Sequence, residues 1–361
     1  MNFTDRKKGA PVLLTALFIV LSGSPAFAQS DNKTVEQRLN QIEQQLESNN
    51  WYKSITISGA IEVETNYVDG PDDSSSDITL ATAEFAIEAA VTEGITANLL
   101  FLFEENATDS PELDEGFINV QLGETPFSVT TGQFYLPFGI FESALLSDPL
   151  TLELGETRES ALQLNYEQAH FHGAVFLFNG STEEKIDSYG ASAGFSHEGH
   201  RYALDINLAF ISNIADSNTL QDGITDSDAM NSTIAGTTAQ ITFSMGAITL
   251  SGEYLGANEH FEAADLSFKN EGAQPSSSNF EIVYDFDIRG RNATIALAIQ
   301  STDEALVLGL PQQRTAIALS VDILENTSIT AELKHDEDYS KPQGGTGNNT
   351  NTSTLQLAVS F

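Results

Sequence analysis

The sequence predicts an all-β protein: an antiparallel transmembrane β-barrel of about 16 strands, preceded by a short helical coiled-coil segment. Three observations carry this prediction. Segments of about ten residues alternate apolar and polar side chains along most of the chain, as strands with two different surroundings do. Short connections alternate with long polar ones. The chain also ends in such a segment, with Leu355, Leu357, Val359 and Phe361 on one face.

The first strand shows the alternation most clearly. Ile57, Ile61 and Val63 fall on one face, whereas Glu62 and Glu64 fall on the other. Carboxylates confined to one face indicate a strand with a water-filled lumen on that side and lipid on the other, because a charge that faces lipid is destabilising. The second strand repeats this pattern. The carboxylates expected to face the lumen and to set a preference for cations are Glu62, Glu64, Glu84 and Glu88.

Sixteen strands are predicted in this way. They lie near residues 55–67, 78–91, 95–103, 115–122, 127–135, 161–168, 171–179, 188–198, 201–211, 234–245, 247–255, 279–288, 292–300, 313–323, 327–336 and 352–361. A soluble β-sandwich is the alternative, but it would need two sheets with apolar inner faces. A barrel of this size encloses an aqueous channel, so the architecture predicts a pore.

The connections are an independent indication of the topology. Short links such as 92–94, 123–126 and 289–291 alternate with long polar ones. The long connections are predicted near 69–77, 105–114, 137–160, 180–187, 212–233, 256–278, 301–312 and 337–351. Short periplasmic turns and long outer loops are typical of a barrel with both termini in the periplasm.

The chain is expected to have three parts. Residues 1–28 show the positive, apolar and A-x-A regions of a cleaved signal peptide. Residues 29–50 carry about two heptads of a coiled-coil seam, and residues 51–361 form the barrel. Because isolated helices this short are marginal in water, the seam is either a periplasmic self-association element, for example of a homotrimer, or a frayed amphipathic lead-in to the barrel.

The most distinctive segment is the loop at about 137–160, which is too apolar to extend into water. Folding into the lumen would bury its leucines, keep its charges wet and narrow the pore. The residues expected at this constriction are Pro137, Phe138, Gly139, Glu153, Glu156, Arg158 and Glu159. The proline and the first glycine are interpreted as backbone-bending residues. Arg158 either offers a fork-shaped donor to a ligand carboxylate or hydroxamate, or pairs with Glu156 or Glu159 and holds the loop.

The same segment carries a family resemblance. Residues 132–142 read G-Q-F-Y-L-P-F-G-I-F-E and residues 147–158 read S-D-P-L-T-L-E-L-G-E-T-R, and here the chain resembles the LbtU family of siderophore porins. The closing strand with its terminal Phe361 resembles that of bacterial outer-membrane barrels. The resemblance implies an outer-membrane channel that passes a siderophore or ferric siderophore in iron uptake. Outer-membrane lipid, lipopolysaccharide and a siderophore or small polar solute are the implied partners.

The charge balance is strongly acidic, with 15 basic against 52 acidic residues and a net charge of −37. Such a field disfavours anions and favours cations, and no nucleic-acid partner is expected. The same acidity is equally consistent with a salty habitat, because salt screens the field.

The sequence has no P-loop and no cysteine–histidine site, since it contains no cysteine. We therefore expect no catalytic residue, no metal site and no cofactor, although a triad assembled from distant strands would leave no sequence motif. His170 and His172 alternate near a short turn without any partner signal. Two alternatives to a siderophore channel stay open: a general or other substrate-specific diffusion porin without an iron role, and a binding or structural surface barrel.

Overall fold

The computed structural model describes residues 54–108, 110–180, 185–224 and 233–361. The predicted signal peptide (1–28) and coiled coil (29–50) lie outside these residues.

Sixteen antiparallel strands close into one barrel, which confirms the predicted fold class. The strands are β1 (Ile55–Asp69), β2 (Ser74–Thr92), β3 (Ile95–Phe103), β4 (Glu112–Gln121), β5 (Phe127–Tyr135), β6 (Arg158–Gln168), β7 (Phe171–Asn179), β8 (Ile186–Glu198), β9 (Ala203–Ile211), β10 (Gly236–Met245), β11 (Ile248–Ala257), β12 (Ser267–Phe268), β13 (Glu271–Gly272), β14 (Ser276–Ile288), β15 (Arg291–Asp303), β16 (Gln313–Leu324), β17 (Thr327–Glu337) and β18 (Asn349–Ser360). Strands β12 and β13 form a separate hairpin, and β1 closes the barrel on β18.

Helical structure is sparse in the described ranges. There are two α-helices, α1 (Leu150–Gly155) and α2 (Asn218–Gly223), and three 3-10 turns at Ile214–Asp216, Leu306–Leu308 and Lys341–Gln343. No helix in this part of the chain has the length and apolarity needed to cross a membrane.

The barrel strands present an apolar outer face and a polar inner face. In β1, Ile57 and Ile61 are exposed on the outside, whereas Glu62 and Glu64 are half-buried on the inside. Large apolar side chains continue around the outside, for example Leu208, Phe280, Leu297 and Leu355. An outer belt of this kind is what strands in contact with lipid require.

Strand β2 starts earlier than predicted and contains a β-bulge. Its pairing with β1 skips Ala81, and an extra residue reverses the alternation of side chains. Ile78 and Phe85, an odd number of positions apart, are therefore both exposed on the outer face. Because β2 begins at Ser74, the first connection, predicted to be a long loop, is only the turn 70–73.

A glycine allows the last residue to dock on the first strand. The backbone of Gly59 exchanges two hydrogen bonds with that of Phe361, each 3.0 Å long. A Cβ at position 59 would lie 2.6 Å from the carbonyl oxygen of Glu84 and 2.7 Å from the Phe361 ring. Only glycine leaves room for this closure.

Apart from the turn 70–73, short turns and long loops emerge from opposite ends of the barrel. The short-turn end carries residues 93–94, 122–126, 169–170, 199–202, 246–247, 289–290 and 325–326. The long-loop end carries the turn 70–73 and the long loops, of which the structure describes residues 104–108, 110–111, 136–157, 180, 185, 212–224, 233–235, 258–275, 304–312 and 338–348. The first residue of β1 and the last residue of β18 lie at the short-turn end.

Candidate functional site

The connection from β5 to β6, residues 136–157, crosses the interior of the barrel, and we call it the constriction loop. It leaves the wall at β5 and is hydrogen bonded to the wall around β15, which is eight strands away in the closed order of sixteen. Its backbone donates to four wall side chains: Ile140 N to Glu253 Oε1 (3.0 Å), Ala144 N to Glu281 Oε1 (2.9 Å), Leu146 N and Ser147 N to Glu332 Oε2 (2.6 and 3.2 Å) and Leu150 N to Gln300 Oε1 (3.0 Å). The loop is therefore a bridge across the lumen.

Three of the four acceptors are carboxylates that the loop buries. Glu253, Glu281 and Glu332 are 7%, 2% and 3% exposed, and a buried charge is costly unless it is hydrogen bonded. Two loop hydroxyls add donors, from Ser143 to Glu281 at 2.6 Å and from Thr151 to Glu253 at 2.7 Å. The donors of the loop and the carboxylates of the wall thus satisfy each other's hydrogen-bonding capacity. We call these three acids the anchor carboxylates.

Sequence reasoning missed the anchor carboxylates. Each occupies an inward position of an alternating strand; Glu253, for example, precedes the exposed Tyr254. The alternation therefore indicates that they face the interior, but it contains no information about the loop that they meet there.

The base of the constriction loop packs against the wall at β10 and β11. Phe138, Leu150 and Leu154 are fully buried in one cluster with residues of these strands. The contact is close, because a Cβ at Gly236 of β10 would lie 2.9 Å from the Phe138 ring. A Cβ at Gly155 would lie 2.0 Å from Leu255 of β11. The loop therefore fills the lumen on this side with apolar side chains.

Among the residues predicted at the constriction, the first three belong to this packed base. Phe138 is fully buried and so does not line a passage, contrary to the prediction. Gly139 has a φ of 112°, and a Cβ there would lie 2.1 Å from the Phe141 ring. Gly139 is thus a bend in the backbone, and together with Pro137 it borders a small recess between the loop and the wall.

The loop carries acids near the two basic side chains on the inner wall of β16 and β17. Arg314 donates to the carboxylate of Asp336 at 2.8 and 3.2 Å and to the carbonyl oxygen of Asp148 at 3.0 Å. Burial raises the pKa of the Asp148 and Glu153 carboxyls, whereas the charges of Arg314 and Lys334 act in the opposite direction. Acidic and basic groups thus meet beside the loop.

The four acids predicted to face the lumen share the inner face of β1 and β2. The Gln356 amide of β18 donates to Glu62 at 3.2 Å and to Glu64 at 3.0 Å. In the β1–β2 register, Glu84 and Glu88 pair with inward positions of β1. A cavity of about 890 Å³ extends from Glu62 along the inner wall of β15–β18 to the short turns. Glu62, Asp322 and Glu325 line this cavity together with Arg289 and Arg291, so this side of the lumen is open and acids outnumber bases there.

Glu156 and Glu159 hold helix α2 against the end of the constriction loop. Asn218 donates its side-chain amide to Glu156 at 3.1 Å, and Gln221 donates to Glu159 at 2.9 Å. Burial raises the pKa of Glu156 to about 7. Both acids therefore have structural contacts at the long-loop end.

Arg158 lies elsewhere than predicted. It is the first residue of β6 and pairs with Tyr135 of β5, and unbroken register places it on the same outer face as Leu162, which is 51% exposed. Its guanidinium donates to Asp114 of β4 and lies 3.5 Å from Glu112. The Tyr135 hydroxyl donates to the same Asp114 at 3.2 Å. Arg158 thus belongs to the barrel wall at the start of β6, and its ion pairs are with acids of β4. The strand begins three residues before the predicted boundary.

The closed sixteen-stranded barrel with a loop folded into its interior has the fold of porin-type β-barrels. Similar solved structures are Pseudomonas putida OprB (TM-score 0.61, 10% identity, 90% of this chain and 97% of that one) and an anion-selective porin from Comamonas acidovorans (TM-score 0.58, 10% identity, 85% and 99%). A third is the outer-membrane channel DcaP of Acinetobacter baumannii (TM-score 0.58, 12% identity, 85% and 97%). The chain shares their fold.

Curated relatives are more similar in sequence. A UPF0422 protein of Coxiella burnetii is 27% identical over 310 residues, which cover 82% of this chain and 67% of that protein. A UPF0422 protein of Legionella pneumophila is 29% identical over 334 residues, covering 79% of this chain and 62% of that protein. The chain thus spans about two thirds of these relatives. No family model matches it.

Proposed function

We propose that the protein is a passive diffusion channel of the bacterial outer membrane with a preference for cations and neutral solutes. The observation that carries this proposal is the asymmetry of the lumen. The constriction loop fills one side with buried apolar residues, whereas Glu62, Glu64, Glu84 and Glu88 share the inner face of β1 and β2. The open cavity beside them is lined by Glu62, Asp322 and Glu325 and by Arg289 and Arg291. A passage in which acids outnumber bases concentrates cations relative to anions.

Channel conductance is the direct test. The purified protein, inserted into a planar bilayer, should give stepwise currents. In a gradient of potassium chloride, the potential at zero current should have the sign expected for potassium moving faster than chloride. Absence of steps from a correctly folded barrel would contradict the channel, and a preference for chloride would contradict the role of the acidic wall.

We further propose that the cargo is a siderophore or ferric siderophore, as resemblance to the LbtU siderophore porins suggests. Support comes from where the resemblance falls, because residues 136–157, in the middle of the resembling segment, form the constriction loop. Adding a ferric siderophore from the host to one side of the bilayer should interrupt the open current. Uninterrupted current, together with expression indifferent to iron limitation, would favour the alternative of a general or other substrate-specific diffusion porin without an iron role.

The remaining expectations concern assembly and orientation. We propose that residues 1–28 are removed as a signal peptide, that residues 29–50 assemble a homotrimer by coiled-coil packing, and that both termini are periplasmic. Outer-membrane lipid and lipopolysaccharide would surround the apolar belt. Light scattering on the detergent-solubilised protein should give three copies for the mature chain and one copy after deletion of residues 29–50. An equal mass per particle for both would refute the coiled-coil role.

A further inference from the structure

A recess lies between the start of the constriction loop and the inner faces of β7–β10. Its volume is about 110 Å³, enough for a few water molecules or one small polar group, since a water molecule occupies about 30 Å³ in the liquid. Pro137 and Ile140 of the loop border it on one side. Its polar lining consists of His172, Ser192, Asn207, Thr238 and Gln240.

The floor of the recess contains a buried hydroxyl without a partner. Thr238 is 5% exposed, and among the described residues its Oγ1 has no hydrogen-bond partner. Buried polar atoms in proteins are nearly always hydrogen bonded, and an exception calls for an explanation such as a bound molecule. The Thr238 hydroxyl thus offers both a donor and an acceptor to whatever occupies the recess.

The histidine of the recess is held in a fixed orientation. His172 Nε2 lies 2.7 Å from Asn207 Oδ1, and its Nδ1 lies 3.4 Å from Ser196 Oγ. A Cβ at Gly194 would lie 2.0 Å from His172 Nε2, so only glycine leaves space for the ring. Asp205 accepts hydrogen bonds from both Ser196 and Asn207. Side chains from β7, β8 and β9 therefore build this wall of the recess.

The chemistry of the lining selects an uncharged ligand. The carboxylates beside the recess are already engaged by neutral donors, Asp205 by Ser196 and Asn207 and Glu253 by Ile140 N and the Thr151 hydroxyl. The described residues that line the recess include no lysine or arginine. The loop contributes the apolar surfaces of Pro137 and Ile140, which suit a methyl or methylene group. The Thr238 hydroxyl can both donate and accept a hydrogen bond, so it suits a ligand that carries a hydrogen-bond donor beside an acceptor.

We propose that this recess binds a small uncharged group with adjacent hydrogen-bond donor and acceptor, of the carboxamide type, on solutes that enter the channel. The proposal deepens the proposed function and rests on it for the route by which solutes arrive. The group would displace the water that otherwise occupies the recess and would hydrogen bond to the Thr238 hydroxyl beside the His172 ring.

The test uses acetamide as the probe and acetate as its charged counterpart of nearly equal size. The full-length protein in detergent micelles, with ¹⁵N-labelled histidine side chains, is titrated with each compound, and the His172 signal is assigned with the variant His172→Gln. Acetamide should shift the His172 signal saturably, and acetate should not. Thr238→Val should weaken acetamide binding by about 5-fold, as expected for one lost hydrogen bond.

Two further variants control for structure. Thr238→Ser keeps the hydroxyl and should bind acetamide like the wild type. Thr96→Val makes the same change on the inner face of β3, away from the recess, and should also bind like the wild type. Equal affinity in Thr238→Val and the wild type, or no saturable shift, overturns the proposal, and acetate binding as tight as that of acetamide overturns the uncharged class.

Bilayer conductance of the same proteins separates this proposal from the proposed function. Thr238→Val should conduct like the wild type while binding acetamide more weakly. A wild-type protein that binds acetamide in the recess but shows no conductance would support the recess and contradict the channel. A protein that conducts but does not bind acetamide would support the channel and contradict the recess.

Discussion

Replacing Glu332 by leucine should release the middle of the constriction loop. The Glu332 carboxylate accepts hydrogen bonds from the backbone N–H groups of Leu146 and Ser147, at 2.6 and 3.2 Å. It is only 3% exposed, so little water competes for these donors. Leucine would keep the wall apolar and filled but would leave both N–H groups without their acceptor.

The size of the effect follows from the two lost bonds. A hydrogen bond to a charged group contributes about 1.5–3 kcal/mol, so the free energy of opening this part of the loop should fall by about 3 kcal/mol or more. Since every 1.4 kcal/mol is about a factor of ten in an equilibrium, the opened population should rise roughly 100-fold. Glutamine at this position should have a smaller effect, because its single carbonyl oxygen can still accept from both N–H groups.

Amide hydrogen exchange followed by mass spectrometry measures this opening directly. Peptides spanning residues 142–150 should exchange roughly 100-fold faster in Glu332→Leu, and single-channel currents should become noisier. The other two anchor carboxylates still hold the loop, so it should fluctuate and not leave the lumen. Glu88→Leu, an inner-face acid of β2, is the matched control and should exchange like the wild type. A folded Glu332→Leu barrel with unchanged exchange in this peptide would refute the anchoring role.

Three further outcomes are expected. Glu62→Gln and Glu64→Gln together should lower the permeability ratio of potassium to chloride; an unchanged ratio would remove these acids from the conducting path. Arg158→Ala should leave the ion selectivity unchanged but destabilise the barrel by about 3 kcal/mol, because the buried Asp114 loses its counter-charge. A changed permeability ratio of potassium to chloride with unchanged thermal stability would instead indicate that Arg158 lines the pore. Burial raises the pKa of Glu156 to about 7 from 4.5, so the stability that its proton confers is present below pH 4.5 and is lost as the pH rises through 7. The unfolding temperature should therefore fall more between pH 4.5 and 8 in the wild type than in Glu156→Gln, and equal falls would contradict this assignment.

The strands could be predicted because lipid and water impose opposite demands on alternate residues. The prediction of strands is weakest where the alternation of apolar and polar residues is interrupted, and where the alternation does not show at which residue a strand ends. The bulge at Ala81 reverses the faces of β2, and no residue type in that stretch marks it. Arg158 and Glu159 look like loop residues because they are charged, yet they continue the ladder with β5. Arg158 is tolerated in the wall because Asp114 of β4, two strands away, supplies its counter-charge.

The roles of the inner-face acids depend on position around the barrel, which a local pattern does not contain. Glu62 and Glu281 occupy equivalent inward positions in alternating strands, but the first faces open lumen and the second is buried beneath the loop. The difference follows from counting strands. A loop that leaves at the fifth of sixteen barrel strands and crosses the lumen must meet the wall near the thirteenth, which is β15. Inward acids on the strands around β15 are thus candidates for anchoring, whereas Glu62 and Glu64 of β1 accept from Gln356 of β18. Strand order and loop length together are therefore enough to distinguish the acids that anchor the loop from those on β1 and β2.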